Sequence, residues 1–454
     1  MLKHVKTEDL EVIKVDSSKP KITVVGAGSF LTLKLLGDFY RVGDLWGSEF
    51  VLYDVNEERL KAMYTAVKRY VERTNVDLKV SMTTNKTEAL ENADFVIVAI
   101  RAGGLKATKA SIEISFKYGA VPIVGDTTGP SGILKAITEI PAILDIAWIL
   151  EDVSPKALIL NHTNPVTAVC TAVYMASKIN IVGMCHGYPL TKFTSALLDL
   201  EYEALKSTVA GINHLTWLTE ITYKGESILE ELKEAVIQGR KWEVIENHPY
   251  LVGRQLLKTY GMLVSVSDRH TAEFFHYLYD WLNDPKIGRV LRKISRVIDY
   301  EKGTLSEEFF RKRKAAWQKV LKVARGEEKV EASDLFYLDI ISSIVNDVKR
   351  EIRVANIPNR SYIEGIKDGR IVEVPCIVDR SGLKGKKVGR LTRSVLAILN
   401  LHLEKFEILA QGILEKDKGL ILEAMGIDPT TPSPEKAEAI LNEYLSTINL
   451  LNEI

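Results

Sequence analysis

The chain has 454 residues, and its 60 Lys and Arg residues balance its 60 Asp and Glu residues. Without net charge there is no global field that favours nucleic acid or an anionic membrane, so we expect a small-molecule partner, with no nucleic acid and no membrane. The three cysteines are widely spaced and odd in number, which predicts reduced thiols rather than a disulfide framework. Since no apolar run has the length of a membrane-spanning helix and the first residues lack the apolar core of a signal peptide, we expect a cytoplasmic protein.

The N-terminal part of the chain predicts a dinucleotide-binding turn. A β-rich run at 21–25 leads into Gly26-Ala27-Gly28-Ser29-Phe30, and an apolar-periodic helix follows at 31–40. Glycines let the backbone approach a pyrophosphate, and a helix N-terminus offers unpaired N–H groups to it. Gly26, Gly28, Ser29 and Phe30 are therefore candidate cofactor residues. Leu31 replaces the third glycine of the full fingerprint, so the turn alone is weak evidence.

The ends of two later strands strengthen the cofactor prediction. Asp54 follows the run 50–53 at about the distance where such folds bind a ribose hydroxyl. No Arg comes directly after Asp54 to hold a 2′-phosphate, which favours NAD over NADP. Arg101, at the end of the apolar run 95–100, is a further candidate for cofactor binding.

Strands and helices alternate up to about residue 195, which predicts an α/β fold with a Rossmann-like, doubly wound parallel sheet. The alternation then fails, an antiparallel strand is expected at 216–223, and long amphipathic patterns follow at 304–322, 335–349 and 391–414. We predict an NAD-binding Rossmann domain over residues 1–195 and a mixed α+β catalytic and oligomerisation domain over residues 196–454.

Polar residues stand at the ends of several predicted strands, where ligands collect in open α/β sheets. Asp126, Asn164 and the pair Cys185-His186 have this placement. A lone Cys at a strand end is more often a small buried hydrophobe than a ligand, and a lone His214 is more often structural. The segment Asp268-Arg269-His270-Thr271-Ala272-Glu273 is dense in titratable groups, although an exposed helix start would look the same.

Taken together and in order, these motifs resemble family 4 of the glycoside hydrolases, the NAD- and divalent-metal-dependent glycosidases. The matching segments are Gly26-Ala27-Gly28-Ser29, Ile100-Arg101, Gly125-Asp126-Thr127-Thr128-Gly129-Pro130, Thr163-Asn164-Pro165, Met184-Cys185-His186, Gly211-Ile212-Asn213-His214, Asp268-Arg269-His270 with Glu273-Phe274, Ile357-Pro358-Asn359, and Val372-Glu373-Val374-Pro375. So many ordered matches exceed a chance motif match.

Details within the motifs indicate one branch of the family. His186 after Cys185, and the Asp268-Arg269-His270 segment, are most similar to the α-galacturonidases, because the phospho-glycosidases have Asp after that Cys. Ser131, in place of a usual glycine, and the turn Gly187-Tyr188-Pro189 depart from the pattern. The resemblance implies an α-galacturonide without phosphate as substrate, with α-glucosides or α-glucuronides as alternatives.

The resemblance also implies the chemistry, an exception to the two-carboxylate scheme of most glycosidases. Carbon 3 of the sugar is oxidised by NAD, a base removes the carbon 2 proton, the aglycone is eliminated, water adds and the hydride returns. Implied metal ligands, for a divalent ion such as Mn²⁺, are Cys185 and His214.

Further roles follow from the same resemblance. Asp268 is the implied base with His270 as the alternate, and His186 is the implied leaving-group acid. Implied substrate contacts are Asn164, Asp126 and Arg269.

We also expect a homodimer or homotetramer. A lactate/malate-type NAD dehydrogenase is the alternative from another enzyme class, and an NAD-sensing scaffold is the third class.

Overall fold

A computed structural model describes residues 19–185, 190–240, 250–333 and 335–450. Its strands are β1 (Lys21–Val25), β2 (Glu49–Tyr53), β3 (Lys79–Thr83), β4 (Phe95–Val98), β5 (Leu158–Asn161), β6 (Asn180–Gly183), β7 (Leu205–Ile212), β8 (Leu215–Tyr223), β9 (Glu226–Ser227), β10 (Ile298–Asp299), β11 (Thr304–Leu305), β12 (Arg350–Pro358), β13 (Ile371–Asp379) and β14 (Gly382–Gly385).

The helices are α1 (Phe30–Arg41), α2 (Glu57–Thr74), α3 (Lys86–Leu90), α4 (Gly104–Lys117), α5 (Gly129–Val153), α6 (Val166–Ala176), α7 (Thr191–Leu198), α8 (Leu229–Gln238), α9 (Leu251–Tyr260), α10 (Asp268–Thr271), α11 (Leu278–Asn283), α12 (Ile287–Ser295), α13 (Glu307–Arg325), α14 (Tyr337–Asn346), α15 (Arg393–Glu415), α16 (Lys418–Ile427) and α17 (Pro434–Thr447). In the described part of the chain, no helix combines the length and the apolar content that a membrane crossing requires.

The first six strands form a parallel sheet in the order β3-β2-β1-β4-β5-β6. This is the strand order of the Rossmann fold, in which ligands bind beyond the carboxyl ends of the strands. Strands β4 and β5 are buried along their whole length, as expected for strands that helices cover on both faces. The predicted fold class is confirmed.

The sheet does not stop at β6. The antiparallel strands β12, β13, β7, β8 and β9 continue it, in that order. Strand β12 pairs with β6, and β13 pairs with β7. Strand β7, which follows β6 in the chain, is therefore not its neighbour in the sheet, because β12 and β13 lie between them. As a result the carboxyl edge of β6 and the turn between β7 and β8 lie on one continuous sheet.

Several helices begin where the local chemistry predicts. Asn56 precedes α2 and accepts a hydrogen bond from the backbone N–H of Arg59, which satisfies one of the free donors at the helix start. Helix α5 begins at Gly129 with a proline in its first turn, directly after the loop that carries Asp126. Near the C-terminus α15 packs against α6 and α16, so the last part of the chain supports the helix layer behind the parallel strands.

Candidate active site at the carboxyl edge of the sheet

The glycine-rich turn after β1 has the shape of a dinucleotide cradle. Gly26 has a φ of 85°, and a Cβ added there would lie 2.4 Å from the carbonyl oxygen of Ala99, so only glycine fits. The backbone N–H of Gly28 donates to Asp54 Oδ2 at 2.8 Å. Ser29 precedes α1, whose first residue is Phe30, and its buried Oγ has no hydrogen-bond partner among the described residues. The turn thus offers a polar atom and a helix N-terminus to a ligand.

Three arginines add positive charge beside this turn. Arg59 donates to the carbonyl oxygen of Gly28 at 3.0 Å and lies over the ring of Trp317. Burial and the positive charges of Arg101 and Arg59 lower the pKa of Arg313. Like-charged groups held together in this way match an anionic ligand. The residues present therefore fit the pyrophosphate of a dinucleotide.

Arg101 is the predicted cofactor residue that follows β4, the fourth strand. Its Nη1 donates to Thr108 Oγ1 at 2.7 Å, and its guanidinium lies 5.9 Å from the ring centre of Phe309. The predicted cofactor residues on β1, β2 and β4 consequently all lie at one edge of the sheet, although Asp54 and Arg101 already contact other residues there.

A second cluster lies around Asp126, and its hydrogen bonds set the tautomer of His214. Thr127 Oγ1 donates to Asp126 Oδ1 at 2.8 Å and lies 2.7 Å from His214 Nδ1. Because the hydroxyl has one proton and gives it to the carboxylate, His214 Nδ1 must donate to the hydroxyl. The lone pair of His214 is then on Nε2, as in many metal sites where a second hydrogen bond orients the imidazole. The φ of 66° at His214 is a left-handed conformation, uncommon for a non-glycine residue.

His270 completes a donor set that fits a divalent ion. Ligand atoms of Asp126, His214 and His270 lie within 4.8 Å of one another. Burial opposes ionisation of Asp126, yet Lys135 and the two histidines hold its pKa below the usual range. Burial and the charge of His214 lower the pKa of His270 well below its ordinary value. One carboxylate and two neutral imidazoles are ligands that Mn²⁺ and similar ions accept.

Glu273 fixes the loop that carries Asp126. Its Oε1 accepts hydrogen bonds from the backbone N–H groups of Ile123, Val124 and Gly125 at 2.8–2.9 Å. Burial raises the pKa of Glu273 to about 7. Since Glu273 lies three residues after His270, the same short segment holds both the histidine and the loop of the carboxylate.

Asp268, the predicted base, has a different environment. It is 1% exposed, and its two oxygens accept from the backbone N–H groups of Val252 and Gly253 at 2.9 and 3.0 Å, at the start of α9. Burial raises its pKa to about 7. The structure thus brings His270, but not the carboxylate of Asp268, into the donor cluster.

Cys185 follows β6 and is half-buried, but it is not part of the three-residue donor group. Cys185 lies near the phenol of Tyr337. The pKa of that phenol is raised well above its usual value, mainly by burial and then by the charge of Cys185. Tyr337 Oη is 2.6 Å from His162 Nδ1, a pair that the sequence analysis did not predict. The predicted leaving-group acid His186 lies outside the described residues.

The predicted substrate residues surround the same carboxylate. Asn164 Nδ2 donates to Asp126 Oδ2 at 3.0 Å. Arg269 and Lys135 are half-buried cations; burial lowers the pKa of each, and the charge of Asp126 opposes this effect. Among the described residues neither side chain donates a hydrogen bond, so both have donors to offer to an anionic group of a ligand. Lys135 was not among the residues predicted from the sequence.

Comparison with known proteins identifies the family. The profile of family 4 glycosyl hydrolases matches residues 21–197, and the profile of their C-terminal domain matches residues 209–431. An α-galactosidase of Bacillus subtilis is 27% identical over 438 residues, which cover 94% of this chain and 96% of that protein. An α-galacturonidase of Thermoanaerobacter italicus is 26% identical over 438 residues, which cover 90% of this chain and 91% of that protein.

A solved structure shows the same fold. The 6-phospho-β-glucosidase from Thermotoga maritima, solved with manganese, NAD⁺ and glucose-6-phosphate, aligns with a TM-score of 0.76 at 22% identity, covering 94% of this chain and 98% of that chain. The two profiles together match more than half of the chain, in the same order as the two halves of the sheet. The chain therefore belongs to family 4 of the glycosyl hydrolases.

Proposed function

We propose that the protein is an NAD- and divalent-metal-dependent glycosidase that cleaves a non-phosphorylated α-galacturonide by oxidation at carbon 3, elimination and addition of water. The observation that carries this proposal is the donor set of Asp126, His214 and His270 at the edge of the sheet that also bears the dinucleotide turn. Support comes from relatives named α-galacturonidase and from solved relatives that contain NAD and Mn²⁺.

The residues of the site have separate roles in this reaction. Bound NAD would accept and return a hydride, and a divalent ion would act as a Lewis acid on the sugar oxygens. Asp126 and His214 Nε2, together with Cys185, would hold the ion and leave His270 beside it as a base, and the hydrogen bond that His214 Nδ1 donates to Thr127 orients His214 for that role. Asn164 keeps the Asp126 carboxylate in place through its Oδ2. Side chains held in this way bring substrate and ion together without reorganisation.

For removal of the carbon 2 proton, His270 is the better candidate of the two predicted bases. Its Nδ1 is buried and has no hydrogen-bond partner among the described residues. The lowered pKa keeps the imidazole neutral and able to accept a proton, and the nearby charge of Asp126 stabilises the imidazolium that forms. Both oxygens of Asp268, in contrast, are engaged by backbone N–H groups at the start of α9.

The charge of the site supports a uronic acid. A carboxylate at carbon 6 needs a cationic partner, and a guanidinium matches its two oxygens. Arg269 is half-buried, close to Asp126 and has unused donors, whereas Arg101 already donates to Thr108 beside the cofactor turn. Lys135 is a second cation at the same place. Arg269 is therefore our candidate for binding the substrate carboxylate.

A matched set of substrates tests the proposal. Aryl α-galacturonide, α-glucuronide and α-glucoside are compared with NAD, Mn²⁺ and a thiol reductant present, and free sugar and NADH are both quantified. We expect preference for the galacturonide, with at most one NADH per enzyme site during steady cleavage. A clear preference for the neutral glucoside would overturn the uronide assignment. Accumulation of NADH beyond one per site would favour the lactate/malate-type dehydrogenase instead.

A further inference from the structure

A row of four residues crosses the seam at which the parallel and antiparallel halves of the sheet join. Asn356 on β12 pairs with Gly183 on β6, and Glu373 on β13 pairs with Gly211 on β7. Asn356 and Glu373 are paired with each other. In the register of the described strands, the two halves of the sheet are joined between β6 and β12 by that one residue pair, and inside the antiparallel half β13 is joined to β7 by one pair as well.

Side-chain hydrogen bonds reinforce the row. Glu373 Oε2 accepts from Asn356 Nδ2 at 2.8 Å and from Asn213 Nδ2 at 3.0 Å. Asn356 Nδ2 also lies 3.3 Å from the carbonyl oxygen of Gly183, to which it donates. The three side chains are at most 2% exposed. In a buried polar network of this kind, loss of one member leaves the others without partners, so the members hold one another in a single arrangement.

Both ends of the network lie beside predicted metal ligands. Gly183 is two residues before Cys185, and Asn213 directly precedes His214. The contact at Gly183 is tight, because a Cβ there would lie 2.8 Å from the Cβ of Asn356. A shift of Asn356 would therefore move the strand end that carries Cys185.

We propose that Glu373, through Asn356 and Asn213, is a positioning residue that fixes the separation between Cys185 and His214. The inference rests on the proposed metal site, in which those two residues share one ion. It assigns a role to the Val372-Glu373-Val374-Pro375 motif, which takes no part in the chemistry described above. Residues that orient metal ligands commonly change metal affinity by about 10- to 100-fold when they are replaced.

Two buried asparagines at the end of β12 provide a matched test. Asn359 is as buried as Asn356, but its amide donates to the carbonyl oxygens of Ile363 and Ile366 in the turn after β12. Asn356→Ala and Asn359→Ala thus remove the same group from two different networks. Both should lower the melting temperature, because each substitution leaves buried polar groups without partners.

The first measurement is a Co²⁺ titration of wild type and variants, followed by the thiolate-to-cobalt charge-transfer absorption. We expect the dissociation constant to rise about 10-fold or more in Asn356→Ala and in Glu373→Met, which keeps the length of the side chain but removes the acceptor, and to stay within about 2-fold of wild type in Asn359→Ala. Equal affinities in Asn356→Ala and Asn359→Ala would overturn the proposal.

Hydrogen exchange without any metal separates this inference from the metal assignment. The amides of residues 183–185 and 213–214 should exchange faster in Asn356→Ala and Glu373→Met than in wild type, and their exchange rates should be unchanged in Asn359→Ala. If wild type shows no thiolate-to-cobalt band, the metal assignment to Cys185 fails, and the exchange rates still decide whether Glu373 braces the two strand ends. Unchanged exchange at both segments would rule the brace out.

Discussion

The imidazole rings of His214 and His270 lie with their centres 4.2 Å apart and their planes inclined by 38°. Two imidazoles this close cannot both be protonated without strong repulsion, so the charge of His214 adds to burial in lowering the pKa of His270. Thr127 gives the two histidines different roles. Its hydroxyl accepts a hydrogen bond from His214 Nδ1–H, which leaves the lone pair of His214 Nε2 available as a ligand. His270 is then free to take part in proton transfer.

Replacing His270 by Gln should lower kcat by about 10²- to 10⁴-fold, the usual contribution of a general base. The protein should remain folded, because the Nδ1 atom of His270 makes no hydrogen bond with the described residues. Asp268→Asn is the comparison: it should mainly lower stability, through weaker bonds to Val252 and Gly253. A larger loss of kcat in correctly folded Asp268→Asn than in His270→Gln would return the role of base to Asp268.

Cys185→Ser should weaken metal binding and abolish activity at ordinary Mn²⁺ concentrations while leaving the fold intact. A thiolate is a soft ligand for a hard ion, so binding should already be weak in the wild type and should be lost on oxidation of the thiol. Cys170 and Cys376 are buried, which makes Cys185 the accessible thiol for a reversible oxidation experiment. Full activity of Cys185→Ser with unchanged Mn²⁺ dependence would exclude it as a ligand.

Arg269→Met should affect charged and neutral substrates differently. Loss of a bidentate, charge-assisted contact should reduce kcat/KM for the galacturonide by about 100-fold or more, as expected for about 3 kcal/mol. The value for the matched α-glucoside should change only a few-fold. If both substrates lose the same factor, Arg269 supports the site in general and does not recognise the carboxylate.

The pH dependence of stability has one contribution from His402, which is fully buried behind the site. Its Nε2 lies 2.9 Å from the carbonyl oxygen of Phe274, and burial and the charge of Lys405 lower its pKa to about 3. Below its ordinary value of about 6.5, the unfolded chain binds a proton that the native protein does not. The contribution of His402 to the free energy of unfolding should therefore fall by about 1.4 kcal/mol per pH unit as the pH drops from about 6 to 4.

Comparison with His402→Gln isolates the contribution of His402. The comparison is needed because Asp268 and Glu273, whose pKa values are raised, titrate in the same range and change the free energy of unfolding in the opposite direction. Urea denaturation of both proteins at several pH values gives the difference. The advantage of wild type over the variant should shrink steadily with acidification, and a constant difference between pH 6 and 4 would contradict the assignment.

The sequence was informative about the parallel half of the sheet because the relevant signals are local. Apolar runs bounded by glycine and polar residues predicted the strands that became β1, β2 and β4, and helix periodicity predicted residues 31–40, which lie within α1. The prediction that the chain resembles family 4 of the glycoside hydrolases is confirmed by the two family profiles.

The parts that were missed depend on contacts between distant segments. The insertion of β12 and β13 between β6 and β7 follows from tertiary packing, for which the local pattern holds no signal. Glu273 binds backbone groups about 150 positions away, and a carboxylate that accepts backbone N–H groups looks the same in sequence as a catalytic acid. The same holds for Asp268. The boundary near residue 195 remains a prediction, since the sheet runs on past it.

The most direct test of the account is the reaction in deuterated water. An elimination that removes the carbon 2 proton and later adds a solvent proton there must label the product, whereas direct displacement by water leaves carbon 2 untouched. Cleavage of an α-galacturonide with catalytic NAD and Mn²⁺ should give free galacturonic acid that carries close to one deuterium at carbon 2 by NMR. Product that contains no deuterium at carbon 2 would contradict the NAD-dependent elimination.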